Sequence, residues 1–183
     1  MFQLDLVDTV SQVQAATLPD VDGIVADVIA HALDYTAQKL GLRDRRAALA
    51  RLAQGDHGAC QFCTYSTVRH IAATIGAWDD HVRSVYVIDY DATPDDLCFP
   101  CDGRSLPVHV IVWTRRRTRA LNALIDVLNR ALTQQYRGLV DREDLEHVLD
   151  VQVIDDTDVQ GKIGYGAMLA SIHQRPIQVW SRQ

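Results

Sequence analysis

The sequence contains no run of apolar residues long enough to cross a membrane, which takes about 20 consecutive residues. Its first ten residues, MFQLDLVDTV, have neither the basic start nor the apolar core of a secretory signal. Low-complexity stretches and long internal repeats are also missing, which argues against a disordered chain or a repeat array. We therefore predict a globular cytoplasmic protein without a membrane partner.

Basic residues are also scarce, because 18 Lys and Arg stand against 24 Asp and Glu and give a net charge of -6. Sequence-independent binding to nucleic acid needs a basic surface that displaces counterions from phosphates. The overall charge therefore excludes bulk nucleic-acid binding but leaves room for a local basic patch. The chain has 183 residues, 48% of them hydrophobic, which is enough for one substantial core.

Hydrophobic periodicity predicts three helices in the first part of the chain. Apolar residues at three-and-four spacing indicate an amphipathic helix that begins near Val21 and is capped by Gly41. A weaker helical pattern, RDRRAALARLA, ends at the turn QGDHG. A third helix is predicted from about Thr64 to Trp78.

The period then changes to that of strands. VRSVYVIDY and PVHVIVWT predict two strands, followed by a long helix near TRALNALIDVLNRALTQQY and a strand in VLDVQVID. A glycine-weakened helix, VQGKIGYGAMLASIHQ, and a short strand, PIQVW, complete the pattern. The predicted fold class is α/β (α+β), a small mixed sheet in β-β-α-β-α-β order. Residues 1–57 form a helical segment before the α/β domain of residues 58–183.

Four cysteines form two CxxC pairs, Cys60 with Cys63 and Cys98 with Cys101. In a reducing compartment such pairs indicate metal or redox chemistry more than disulfides. If the third helix (about 22 Å) and the first strand (about 30 Å) pack antiparallel, the second pair returns beside the first. Four thiolates match a tetrahedral zinc site, structural because its shell is closed. An iron–sulfur cluster and free thiols are the alternatives.

Residues 68 to 180 resemble the nucleotidyltransferase fold of the minimal, DNA-polymerase-β-like kind. The resemblance lies in element order and hydrophobic pattern over about three-fifths of the chain. Its pieces are TVRHIAATIGAWDDHVRSVYVIDYDATPDD, SLPVHVIVWT, the long helix, VLDVQVIDDTD and GAMLASIHQRPIQVW. It implies a nucleotidyltransferase-like α/β domain.

The chain departs from that family at both catalytic motifs. Asp89 and Tyr90 stand where the family has Gly-Ser for a phosphate, and Pro107, Val108 and His109 stand where it has carboxylates for Mg²⁺. Four acids at strand ends are candidates to form a magnesium or ligand rim instead: Asp89, Asp91, Asp155 and Asp156. VYVIDYDAT and VQVIDDTDV are interpreted as two strand ends that face the same rim. The resemblance implies a scaffold that binds a nucleotide, a phosphate-bearing small molecule, a protein partner or a second copy without efficient transfer.

Arginines cluster at the predicted start of the long helix, in the stretch TRRRTR. A helix amino terminus has unpaired N–H groups and a positive dipole end, so these side chains are candidates to bind phosphate. They are Arg115, Arg116, Arg117 and Arg119. The alternative is that they pair with nearby aspartates and are otherwise solvated, and it is slightly favoured because charge runs usually lie on the surface.

Two further resemblances concern enzymes. The order of Cys60, His109 and Asp155 resembles transglutaminase-like cysteine hydrolases, in which a helix dipole and a histidine activate the thiol. This is the alternative function. VIDYDATP resembles the haloacid-dehalogenase phosphatase signature through Asp89 and Asp91, but that fold needs another strand–helix unit before its second acidic motif.

Overall fold

The computed structural model describes residues 20–88, 107–171 and 176–183 of the 183-residue chain. These ranges contain six helices and four strands, and the predicted class, an α/β protein with a small mixed sheet, is confirmed. In chain order the elements are α1 (Val21–Lys39), α2 (Arg45–Ala53), α3 (His57–Trp78), β1 (Val82–Ile88), β2 (Val108–Thr114), α4 (Arg119–Val140), β3 (Leu149–Asp155), α5 (Asp156–Gly161), α6 (Tyr165–Leu169) and β4 (Ile177–Ser181). None of these helices is long and apolar enough to span a bilayer.

Side-chain caps set the helix boundaries. The Asp20 carboxylate accepts a hydrogen bond from the Gly23 amide at the start of α1, and Gly41 follows its end with a φ of +63°. The prediction that the third helix starts near Thr64 is wrong, because α3 begins at His57. Asp56 accepts a hydrogen bond from the Ala59 amide at 2.9 Å and so starts the helix inside the predicted turn.

The predicted glycine-weakened helix is two short helices. Lys162 ends α5 with a φ of 52°, and Gly164 precedes α6 with a φ of 51°. Two residues with positive φ so close together cannot continue one right-handed helix. The single-helix prediction for this stretch is therefore wrong.

The four strands form a sheet in the order β3-β2-β1-β4. β1 pairs antiparallel with β2 and β4, whereas β2 pairs parallel with β3 through the α4 crossover. Ile88 at the end of β1 pairs with His109, and Thr114 pairs with Asp155 at the end of β3. The carboxyl ends of β1 and β3 thus lie at opposite ends of the sheet, about 17 Å apart. The interpretation that both strand ends face one rim is wrong.

The two faces of the sheet have separate cores. The larger core, which α1 to α4 cover, contains Val25 of α1, Val85 of β1 and Leu124 of α4, all fully buried. It therefore joins residues of the predicted segments 1–57 and 58–183. The smaller core, packed against α5 and α6, contains Ile88, Ile111 and Ile154.

A glycine sets the approach of α3 to β4. A Cβ atom on Gly76 would overlap the six-membered ring of Trp180, and the Arg182 guanidinium lies over the ring system of that residue, 5.6 Å from its centroid. Gly76→Ala is therefore expected to lower the free energy of unfolding by about 1–3 kcal/mol, because overpacking outweighs the better helix propensity of alanine.

Gly138→Ala in α4 is the matched control for this prediction, since a Cβ atom there meets nothing within 4 Å. It is expected to raise the free energy of unfolding by about 0.5–1 kcal/mol. Urea unfolding of both variants measures the two values. Shifts of the same sign would contradict the prediction.

Candidate functional site

Cys60 and Cys63 lie one helical turn apart near the start of α3. Their exposed fractions are 1% and 2%, and both belong to the larger core. Burial raises the pKa of the Cys63 thiol to about 11, against the opposing effect of a hydrogen bond with Thr67. Without a metal, Cys63 is therefore a neutral thiol at physiological pH.

The other two predicted zinc ligands, Cys98 and Cys101, lie outside the described residues. In the part of the chain that the structure describes, no group of three or more His, Cys, Asp or Glu side chains could hold a metal ion. Fifteen residues, about 22 Å of helix, separate Cys63 from Trp78, and the seven residues of β1 cover about 23 Å. Only residues 79–81 connect the two elements, so their lengths match what the predicted return of the second cysteine pair requires. Cys60 and Cys63 are the two predicted zinc ligands that lie within the described residues.

The structure does not bring Cys60, His109 and Asp155 together. His109 shares a sheet face with Ile111 of the smaller core, whereas Cys60 is buried in the larger core on the opposite face. His109 Nδ1 lies 2.8 Å from Asp150 Oδ2, so its neighbouring acid is Asp150. Asp155 stands at the other end of β3. The predicted hydrolase triad therefore has no geometric support.

Asp156 lies just beyond the carboxyl end of β3, where two donors hold its side chain. Arg83 Nη2 donates to Asp156 Oδ2 at 2.7 Å, and Trp113 Nε1 donates to Oδ1 at 2.9 Å. The Arg83 guanidinium lies over the Trp113 ring system, 5.5 Å from its centroid. The hydrogen bond from Arg83 keeps the pKa of Asp156 below its ordinary 3.8. Burial opposes this effect, and the hydrogen bond from Trp113 adds to it. Asp156 is thus an ionised partner of Arg83.

Asp155, at the carboxyl end of β3, has a structural role. Its Oδ1 accepts hydrogen bonds from the Thr157 and Asp158 amides and so caps α5, while Asp158 bonds back to the Asp155 amide. Arg117 Nε lies 3.5 Å from Asp155 Oδ2, and Arg117 Nη2 donates to Asp158 Oδ2. The other members of the predicted magnesium rim, Asp89 and Asp91, lie outside the described residues.

Three arginines at the start of α4 differ from Arg117. Arg115, Arg116 and Arg119 are exposed, and none of them forms an ion pair with any residue in the described ranges. Arg115 is near enough to help lower the pKa of Asp156. Thr118 caps the helix by accepting a hydrogen bond from the Leu121 amide at 3.0 Å. The predicted alternative, in which the arginines pair with aspartates or are otherwise solvated, fits all four within the described residues: Arg117 is paired and the other three are exposed.

The sequence-based prediction missed Arg83 of β1, which reaches Asp156 at the end of β3 across the intervening strand β2. Its signal was a charged residue inside the apolar pattern VRSVYVI. Trp113 was also missed, although a tryptophan near a strand end with acids nearby commonly finds an acceptor for its N–H. These residues share one edge of the sheet only because β1 and β2 pair with a defined register.

Comparison of the chain with protein-family models, with curated proteins and with solved structures finds no match. A function is therefore inferred from the geometry at the carboxyl ends of β2 and β3 and from the buried cysteines.

Proposed function

We propose that this chain binds a phosphate-bearing ligand, such as a nucleotide, at the carboxyl ends of β2 and β3 and does not transfer it. The scaffold would be nucleotidyltransferase-like and tied together by a structural zinc ion. One observation carries the ligand proposal: in a protein whose net charge is -6, Arg115, Arg116 and Arg119 are exposed just beyond β2 and form no ion pair within the described residues.

The position of these arginines favours anion binding. β2, α4 and β3 form a parallel strand–helix–strand unit, and ligands of open α/β sheets bind beyond the carboxyl ends of such strands. α4 has 22 residues, and its first turn offers unpaired N–H groups and the positive end of the helix dipole. Guanidinium groups bind phosphate oxygens through paired hydrogen bonds. Backbone and side chains thus favour the same ligand chemistry.

The nearby acids support binding without transfer. Metal-assisted nucleotidyl transfer needs carboxylates that converge on Mg²⁺. Asp156 is held by Arg83 and Trp113, and Asp155 caps α5. Recruiting either of them for magnesium would break hydrogen bonds that the fold uses. A ligand bound at the arginines would therefore meet no free pair of carboxylates from β3.

The zinc part of the proposal rests on Cys60 and Cys63. Two thiols one turn apart on a buried face present their sulfurs to the same side of α3, as two ligands of one tetrahedral ion must. Completed by Cys98 and Cys101, the ion would fix the segment between β1 and β2 against α3. Zinc in a closed shell of this kind supplies folding energy rather than chemistry.

Calorimetric titration with inorganic pyrophosphate tests the ligand proposal. The wild-type chain is expected to bind it saturably, with an affinity that falls as salt is added. The double substitution Arg115→Gln and Arg116→Gln is expected to weaken binding about tenfold or more, since each removes charge-assisted hydrogen bonds. Arg46→Gln, at an exposed position on α2, is the matched control and should bind as the wild type does.

Two outcomes would contradict the ligand proposal. Absence of saturable binding up to about 10 mM pyrophosphate would show that these arginines do not form a phosphate site. Equal affinity in the double variant and in Arg46→Gln would place the ligand elsewhere. Nucleotide turnover that depends on Mg²⁺ and survives in both variants would contradict the proposed lack of transfer.

A further inference from the structure

A groove of about 290 Å³ runs along the outer surface of α1 and α3. Two tyrosines form its walls, with the ring centroids of Tyr35 and Tyr65 6.3 Å apart and their planes tilted by 38°. Phe62 packs edge-on against Tyr35 with the centroids 6.2 Å apart, and Tyr65 is 36% exposed. We call this site the tyrosine groove; its lining residues are Tyr35, Tyr65, Ser66, Arg69, His70 and Ala73.

Both aromatic walls of the tyrosine groove have a cation beside them. The Arg69 guanidinium carbon lies 5.6 Å from the Tyr65 ring centroid, and Arg69 Nη1 donates to the Tyr65 hydroxyl at 3.4 Å. Lys39 Nζ lies 5.4 Å from the Tyr35 centroid. Among the described residues, the lining includes no carboxylate. In a chain with a net charge of -6, this surface has the opposite sign and complements an anion.

The imidazole of His70 adds a polar group of fixed orientation. His70 Nδ1 lies 2.8 Å from the Ser66 carbonyl oxygen, and since a carbonyl only accepts, Nδ1 is the donor. Its ring stacks on that of His31 with the centroids 5.5 Å apart, and His31 Nδ1 donates to the Asp27 carbonyl in the same way. In this tautomer Nε2 of His70 is an acceptor.

We propose that the tyrosine groove binds a small planar anion, an aromatic ring that bears a carboxylate or a phosphate. The ring would pack against Tyr35 and Tyr65 through offset or edge contacts, and the anionic group would accept hydrogen bonds from Arg69 and Ser66. The volume lies at the lower end of the range for small-molecule sites, about 300–1,000 Å³, so the ligand is a single ring system. This site shares no residue with the proposed phosphate site at Arg115, Arg116 and Arg119.

Titration of the ¹⁵N-labelled full chain by NMR tests the proposal with benzoate, phenyl phosphate and the neutral benzamide. We expect saturable shifts of amides in α1 and α3 with at least one of the two anions, and at least tenfold weaker binding of benzamide. Whether benzoate or phenyl phosphate binds more tightly identifies the anionic group. Arg69→Gln is expected to weaken anion binding about tenfold, and Arg46→Gln is the exposed control that should not.

The proposal is overturned if neither anion causes saturable shifts in α1 and α3 up to about 10 mM, or if Arg69→Gln binds as tightly as the wild type. Equal binding of benzamide and benzoate would also overturn it, because the charge would then play no part. Arg69 is exposed, so its variant is expected to fold, and the unfolding midpoint verifies this. Pyrophosphate has no ring and reports on the α4 arginines, so the two proposals fail separately.

Discussion

Cys63→Ser is expected to abolish zinc binding and to lower the free energy of unfolding by several kcal/mol. The serine hydroxyl is a poor zinc ligand, and its loss would open a shell whose binding energy is part of the folding energy. In this protein the effect should be large because the ion would join α3 to the segment between β1 and β2. The wild-type chain, purified without added metal, should contain about one zinc per chain by elemental mass spectrometry.

Chelation combined with substitution of Cys63 separates the effect of the metal on stability from the effect of core packing. A chelator is expected to destabilise the wild-type chain but to have no effect on Cys63→Ser or Cys63→Ala, because both variants lack the ion already. If Cys63 is only a core residue, the chelator will change nothing in any of the three proteins. Cys63→Ser would then still destabilise by about 1–3 kcal/mol, because burial of a hydroxyl in an apolar core costs free energy. That result would contradict the zinc proposal.

Protection of the thiols from alkylation cannot replace the metal measurement. Cys60 and Cys63 are 1% and 2% exposed, and burial alone raises the pKa of Cys63 to about 11. A thiol in that state reacts slowly whether or not a metal is bound, because the thiolate is the nucleophile. The metal content and the effect of the metal on stability therefore decide whether Cys63 is a zinc ligand or only a core residue.

The helices with strong hydrophobic stripes could be predicted from the sequence. In α4 the residues of one stripe at three-and-four spacing are all buried: Leu121, Leu124, Ile125, Leu128, Leu132 and Tyr136. In α1 the residues of the corresponding stripe are buried apart from Ile24, which is partly buried and packs against the core. A 3.6-residue period that recurs over five turns has few other structural explanations. Local signals of this strength give element type and buried face together.

Boundaries and strand directions were harder to predict. The start of α3 depends on one hydrogen bond from the Ala59 amide to Asp56, inside a stretch whose glycines indicated a turn. VYVIDYDAT and VQVIDDTDV look alike, yet their strands run in opposite directions. The connections between strands set their directions. The α4 crossover makes β3 run parallel to β2, whereas β1 pairs antiparallel with β2. The period of a strand carries no information about its direction.

The candidate sites depend on contacts between distant parts of the sequence. Arg83 reaches Asp156 across 73 positions, and the tyrosine groove joins Tyr35 of α1 to Tyr65 of α3. No local motif marks either pair. The four arginines of TRRRTR could be found because they lie within five positions of one another, but which of them pair with aspartates depends on the position of α5 beside Arg117.

Arg182→Ala is expected to lower the free energy of unfolding by about 2–3 kcal/mol, although the residue is only one position from the last residue of the sequence. Its guanidinium donates to three carbonyl oxygens where α3 turns into β1: those of Gly76 at 2.6 Å, Asp79 at 2.9 Å and Val82 at 3.0 Å. It also lies over the ring system of Trp180. One side chain thus binds the end of α3, the start of β1 and the ring that packs on Gly76.

Arg182→Lys separates the contribution of the three hydrogen bonds to stability from that of the positive charge. Lysine keeps the positive charge and the aliphatic stem, but its ammonium cannot direct donors to three separate carbonyls as a planar guanidinium does. It is therefore expected to recover at most half of the lost stability in urea unfolding. A change of less than about 0.5 kcal/mol in the free energy of unfolding of Arg182→Ala would contradict the prediction, because it would mean that these hydrogen bonds do not stabilise the fold. Gly76→Ala and Arg182→Ala should also be non-additive, since both release the Trp180 ring from the same position against α3.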